Sequence, residues 1–530
     1  MKKIEIFDST LRDGAQSENV SYSVEDKLNI VRALDAIGID YIEAGNPYSN
    51  PKDAEFFRRK GELSLTRSRL VAFGSTRRRG IPVAEDKNCQ AMLEAGVEWV
   101  AVFGKSSEWQ AREVLGATPE ENLEMIADTV AYLARFGKRV IFDAEHFFDG
   151  YKQNPYYAVQ TLQTAKDAGA RKLVLCDTNG GCFPDEIGRI TGDMVRKFPG
   201  MIGVHCHDDT GCAVANTIAA VQAGADQIQG TYIGFGERCG NTNLSTMIAD
   251  LQIKMDYTCI PEDRLPQMTK TARFISEVSN MRLPHSMPYV GKAAFAHKGG
   301  MHVDGVKKNT AAFEHINPEM VGNRRQILLS EVSGRTALMT KIVDLVPGLS
   351  KDSPALVRLV DRLKKLEFEG YQFEAATASF ELVVLKELGR FTPFFQLELF
   401  RIIGEQDSAD RHMASALVKL RVDDQFEITA DEGDGPVHAL DRALRKALEV
   451  FYPSLGGVRL IDYKVRVMEA GRATASLVRV LIESSDGETS WTTVGVSTDI
   501  INASIRALVD SMEYKLYHDR TGNGNKSFQP

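Results

Sequence analysis

The sequence predicts a (β/α)8 TIM barrel followed by a helical linker subdomain and an α+β C-terminal domain. Three observations carry this expectation. Eight short β-rich runs recur about 30 residues apart through the first half. Polar residues gather after those runs rather than before them, and beyond residue 390 the pattern turns to longer strand-like runs.

The runs are Lys3–Phe7, Tyr41–Glu43, Leu70–Phe73, Trp99–Phe103, Arg139–Phe142, Lys172–Leu175, Ile202–His205 and Asp226–Gly230. The stretches between them, such as Lys87–Gly96 and Pro155–Gly169, are amphipathic and end in glycine, as helices do. A doubly wound sheet also alternates strand and helix, but no G-x-G-x-x-G follows the first strand. The expected division is a barrel over 1–268, a helical linker over 269–390 and a regulatory or dimerisation domain over 391–530.

Within the linker, Pro347–Pro354 reads as a turn. The last domain offers strand runs at Phe395–Ile403, Ala414–Val422, Arg459–Val467 and Ala475–Ile482. One helix is expected after the glycine loop Glu432–Pro436, repeating Leu440, Leu444, Leu448 and Phe451. A second is expected after the loop Val494-Gly495-Val496, repeating Ile501, Ile505, Leu508 and Met512. Two strand-rich units, each closing on a helix, read as an internal duplication. Thr521 to Pro530 reads as a loose tail.

Composition narrows the function classes. The chain has 530 residues, 43% hydrophobic and 26% charged, which excludes disordered, collagen-like and disulfide-scaffold classes. Its 64 basic against 72 acidic residues, net charge -8, give no global pull toward nucleic acid or an acidic membrane. Seven cysteines without a C-x-x-C pair read as reduced thiols. No signal-peptide pattern follows Met1, and no run reaches the ~18 apolar residues of a membrane span. The expected setting is cytoplasmic.

Strand C-terminal ends are where barrels keep their chemistry. There stand Arg12 and Asp13, Glu145, Thr178, His205 and His207, and Asn241. His205 and His207 are two apart, so on a strand both rings share one side, half of a divalent-metal site. The alternative is a hydrogen-bonded structural pair. Asp13 and Asn241 are available oxygen ligands. Arg12 suits a carboxylate or a developing oxyanion, or else an ion pair closing the barrel mouth. Glu145 fits a general acid/base or a carboxylate orienting a ligand. Thr178 can offer a hydroxyl to a substrate carboxylate. Cys176, Cys182, Cys206, Cys212 and Cys239 read as packing.

Three of these segments, Asp8–Gln16, His205–Gly211 and Gly236–Asn241, resemble the site motifs of the metal-dependent acyl-CoA condensing enzymes that make isopropylmalate, homocitrate and citramalate. Phe295–His302 resembles the family segment that delivers a catalytic histidine from beyond the barrel. Phe142–Tyr151, Leu175–Gly181, Ser330–Arg335 and Trp491–Ser497 resemble the family's long citramalate-forming branch. The resemblance implies condensation of acetyl-CoA with pyruvate, on the route to isoleucine through 2-oxobutanoate. It implies Asp13, His205, His207 and Asn241 as ligands to Mg, Mn or Zn. Arg12 would stabilise the incipient alkoxide, Thr178 would bind the keto-acid carboxylate, and Glu145 and His302 would serve the acid/base steps. It further implies a homodimer with isoleucine as feedback inhibitor. Relatives often carry tyrosine where Phe313 stands. Isopropylmalate or homocitrate synthesis is the alternative within the family, set by a few apolar pocket residues near Phe73 and Phe103. A lyase on the same barrel would lack residues 391–520, and a non-catalytic sensor would lack one of Asp13, His205 or His207.

Overall fold

The computed structural model describes residues 2–298, 300–327, 342, 345–346, 353–406, 412–468, 476–487 and 489–521. The expectations placed on Ser330–Arg335, on most of the Pro347–Pro354 turn, on Ala475 and on the tail beyond Thr521 lie outside these residues. Two compact units emerge, Met1–Phe295 with Ile316–Arg324, and Ala296–His315 with Arg325–Pro530.

In the first unit eight parallel strands close into a barrel. They are β1 (Glu5–Asp8), β2 (Tyr41–Glu43), β3 (Arg69–Ser75), β4 (Trp99–Lys105), β5 (Arg139–Glu145), β6 (Lys172–Asp177), β7 (Ile202–Cys206) and β8 (Gln227–Gly230). β8 pairs back onto β1, with Glu5 opposite Gln227. The side-chain period of two splits each strand between layers. On β5, Val140, Phe142 and Ala144 face the surrounding helices while Ile141 fills the barrel. Phe7, Tyr41, Val71, Trp99, Ala101 and Val174 join Ile141 there. Several strands run further than their apolar runs: β5 ends at Glu145, not Phe142, and β6 at Asp177, not Leu175. Glu145 is polar because the cavity receives it, and Asp177 because its buried carboxylate accepts the Gly181 and Cys182 backbone N–H groups.

Two helices bear on the site. α1 (Val24–Ile37) starts at a capping box in which Ser23 and Asp26 satisfy each other's backbone N–H groups. α2 (Pro51–Arg59) starts at Asn50, whose side chain accepts from the Lys52 amide, with Pro51 at its first position.

The second unit carries α3 (Gly300–Lys308), then α4 (Pro354–Phe368) and α5 (Thr377–Glu387). The antiparallel sheet β9 (Gln396–Gln406), β10 (His412–Val422) and β11 (Gln425–Gly433) precedes α6 (Pro436–Glu449). A second such sheet, β12 (Arg459–Val467), β13 (Val478–Ser485) and β14 (Ser490–Ser497), precedes α7 (Ile500–Arg520). Leu440, Leu444 and Leu448 on α6, and Leu508 and Met512 on α7, are fully buried.

One expectation needs correction. Val494-Gly495-Val496 is not a loop before a helix; it lies inside β14. A Cβ on Gly495 would stand 1.9 Å from the Ala503 carbonyl oxygen, so this glycine permits α7 to press onto the sheet. Gly433, which ends β11, does the same beneath α6, where a Cβ would meet the Ala439 amide at 2.5 Å. β11 is absent from the apolar runs because its Phe426 and Ile428 face solvent and alternate with the polar Gln425, Glu427 and Thr429.

Gly495→Val should therefore destabilise the second unit by about 3 kcal/mol. Urea denaturation followed by far-ultraviolet circular dichroism checks this; an unchanged midpoint would refute the close-approach role.

Candidate metal-binding active site

A cavity of about 310 Å³ opens at the carboxyl end of the barrel. Asp13, His205 and His207 converge in it, each under 7% exposed, with one ligand atom apiece within 4.8 Å of the others. Asp13 Oδ2 lies 3.7 Å from His205 Nε2 and 3.9 Å from His207 Nε2. The Gln229 amide Nε2 donates to Asp143 Oδ1 at 3.2 Å, so its Oε1 faces His205 Nδ1 at 3.0 Å. That orientation puts the imidazole proton on Nδ1 and leaves the Nε2 lone pair toward Asp13. The Asn241 Nδ2 donates to Asp13 Oδ1 at 2.8 Å, which leaves Asn241 Oδ1 buried without a hydrogen-bond partner. Gly236 makes room, since a Cβ there would fall 2.1 Å from Asn241 Nδ2.

Electrostatics favour cation binding. Burial works against the Asp13 charge, but Arg12, His205 and His207 outweigh it and hold the carboxyl well below its usual range. Burial, then His207, pulls His205 down to about 4, and burial lowers His207 as well. Both imidazoles are thus neutral ligands at physiological pH. One carboxylate, two neutral imidazoles and an unsatisfied amide oxygen fit a divalent ion of the Mg, Mn or Zn class.

Arg12 borders this cluster. Its Nε donates to Glu43 Oε2 at 2.7 Å and its Nη1 to Asp13 Oδ2 at 2.9 Å. The guanidinium lies over the Phe73 ring, 4.1 Å from its centroid. Glu43 also accepts from Ser9 Oγ at 2.5 Å and is wholly buried. Arg12 therefore closes an ion pair, as one alternative had it, while still lining the cavity.

The HMGL-like family model matches residues 3–275. The chain belongs to the HMGL-like family. Two further models match in series, a homocitrate synthase post-HMGL domain-like region over 289–370 and a LeuA allosteric (dimerisation) domain over 374–516. The chain is 48% identical to an (R)-citramalate synthase of Aquifex aeolicus, covering 98% of each chain. It is 45% identical to that of Geobacter sulfurreducens, covering 99% of this chain and 100% of the other. A probable 2-isopropylmalate synthase of Methanopyrus kandleri stands at 32%, covering 96% and 97%.

The other expected residues of this HMGL-like chain are placed as follows. Thr178 Oγ1 accepts the His146 amide at 2.8 Å, which leaves its own hydrogen to donate. Glu145, at the end of β5, pairs with Lys105 Nζ at 2.6 Å. His302 lies on α3 of the second unit, its ring stacked on Phe313 at 4.1 Å. Four residues of the site were not singled out from sequence: Glu43, Lys105, Asp143 and Gln229. Counting by twos along β4, β5 and β8 from the mouth puts three of them on the inward side, which is the one signal the sequence offers for them.

Asp143 lines the cavity, and burial, then the Glu43 charge, pushes its carboxyl up from 3.8 to about 8. Between these values the folded chain keeps a proton that the unfolded chain has released. Stability contributed by this group is present at low pH and falls as pH rises through that window. Asp143→Asn should flatten the fall; urea midpoints of both proteins at each end of the window test it, and an unaltered slope would count against the assignment.

Proposed function

We propose that this chain condenses acetyl-CoA with pyruvate and hydrolyses the product thioester, giving citramalate and CoA. The observation that carries this reading is full-length likeness to citramalate synthases in a chain whose Asp13, His205 and His207 converge beside Arg12. Asp13, His205, His207 and Asn241 would hold the divalent ion. When bound, the ion supplies Lewis acidity toward the keto carbonyl and carboxylate of a 2-keto acid.

The chain's own groups do the rest. The Thr178 hydroxyl donates to the keto-acid carboxylate. Phe73 and Phe103, stacked at 5.2 Å, wall the cavity with apolar surface that suits the small methyl of pyruvate. A thioester methyl is a weak carbon acid, so a positioned base must take its proton. Glu145 and His302 serve the proton transfers, with Lys105 orienting Glu145. The methyl carbon then bonds to the keto carbon, and the charge arriving on the keto oxygen meets the Arg12 guanidinium. Water attacks the thioester carbon, the C–S bond breaks, and CoA leaves as the thiol.

The second unit supplies dimerisation and regulation. Ile403 on β9, Phe426 and Ile428 on β11, and Ile461 and Val467 on β12 are each more than half exposed. Such apolar sheet faces fit burial against a second copy. Isoleucine, the end product served by citramalate, is the inhibitor this domain would bind. Seven free thiols accord with a cytoplasmic setting. Among the described residues no helix is long and apolar enough to cross a membrane.

CoA-thiol release from acetyl-CoA with Mn2+ should be fastest with pyruvate, ahead of 2-oxoisovalerate and 2-oxoglutarate. Chelation should abolish it, and His207→Ala should lower it more than about 1,000-fold, as losing several kcal/mol of electrophilic stabilisation requires. Preference for 2-oxoisovalerate would move the chain to isopropylmalate synthesis. A double Ile403→Glu/Phe426→Glu variant should elute as monomer in size-exclusion chromatography with light scattering; a persisting dimer would place the interface elsewhere.

A further inference from the structure

Lys27, on α1, is buried beneath the loops that follow β1 and β2 at 3% exposure, far below what a lysine ordinarily accepts. Its ammonium has three hydrogens and finds three acceptors: Leu11 O at 3.1 Å, Ala44 O at 2.8 Å and Asp53 Oδ1 at 2.5 Å. Leu11 immediately precedes Arg12 and Asp13, and Ala44 immediately follows Glu43. Asp53, 6% exposed on α2, takes the Asn46 amide on its other oxygen at 2.8 Å. A Cβ on Gly45 would overlap that carboxylate at 2.2 Å, so the space beneath the β2 loop is filled by it. Burial lowers Lys27 below the ordinary lysine value while Asp53 opposes the shift.

A buried ion pair is seldom more stabilising than a packed apolar pair, so its net stability does not explain it. Its geometry does. Two of the three bonds run to backbone carbonyls of the segments that carry Arg12, Asp13 and Glu43. We infer that Lys27, neutralised by Asp53, is a positioning residue that ties the β1 loop to the β2 loop and thereby sets the Arg12–Glu43 contact and the aim of Asp13. The inference rests on the condensing-enzyme reading for its catalytic consequence, and on the geometry alone for its effect on the metal cluster.

Rate and stability should part company across three proteins. Asp53→Asn leaves Lys27 bonded to both carbonyls; it should lower the melting temperature yet keep kcat/KM within about fivefold. The double variant Lys27→Met/Asp53→Leu removes both charges, so no buried charge is left unpaired; it should melt no lower than Asp53→Asn, yet lose about a hundredfold in kcat/KM and at least about tenfold in Mn2+ affinity. Mn2+ affinity is read by calorimetry on the protein without substrate. A purely structural pair predicts the opposite, rate following stability. A stable double variant with wild-type Mn2+ affinity and rate would overturn the inference. If the double variant does not fold, Lys27→Gln, assayed at a temperature where circular dichroism shows it folded, replaces it with the same expected losses. Failure of wild-type protein to release CoA with pyruvate would sink the proposed reaction, and the Mn2+ titrations would still judge the clamp.

Discussion

Asp13 is a buried carboxylate that must stay charged, and most of the barrel mouth is arranged around that requirement. One oxygen faces Arg12 and both imidazole Nε2 atoms; the other takes the Asn241 amide and the Glu237 backbone N–H. Removing such an anion from water costs several kcal/mol, recovered only when its lone pairs are met. Arg12 meets one of them and is itself held by Glu43, whose charge is met in turn by Ser9. The network spans β1, β2, β7 and the loop beyond β8, the first and last strands of the barrel segment that closure brings side by side.

Around that anion the barrel sorts carboxylates by environment. Asp13 lies against the Arg12 guanidinium and is held ionised, whereas Asp143 lies among acids in a buried wall and is held protonated. Two carboxyl groups of one cavity thus take opposite states at neutral pH, which is how a single fold offers both a ligand and a hydrogen-bond donor. Gln229 joins the two halves, fixing the His205 tautomer through one end of its amide while contacting Asp143 through the other.

The second unit solves a packing problem twice in the same way. Each three-stranded meander ends on a glycine-permitted contact with the helix that follows, and the apolar layer between sheet and helix is the core of that half. The opposite sheet faces keep isoleucine, valine and phenylalanine in contact with water.

Periodicity and chain order alone determined the barrel, the eight strand positions, the paired histidines and the two terminal helices. These depend on local alternation and on the rule that barrel chemistry sits after strands. Three things only the tertiary structure decided. Gly495 looked like a turn because a sequence does not show that Ala503 comes within 2 Å of where its side chain would be. Glu43, Asp143 and Gln229 received no role from the sequence because their partners, Arg12, Gln229 and His205, lie 31, 86 and 24 residues away. Lys27 carries no signal in the sequence, since its burial exists only once two loops fold over it. The reason is common to all three: a residue's pattern is a local property, whereas its charge state, clearance and hydrogen-bond partners are set by neighbours that only chain closure supplies.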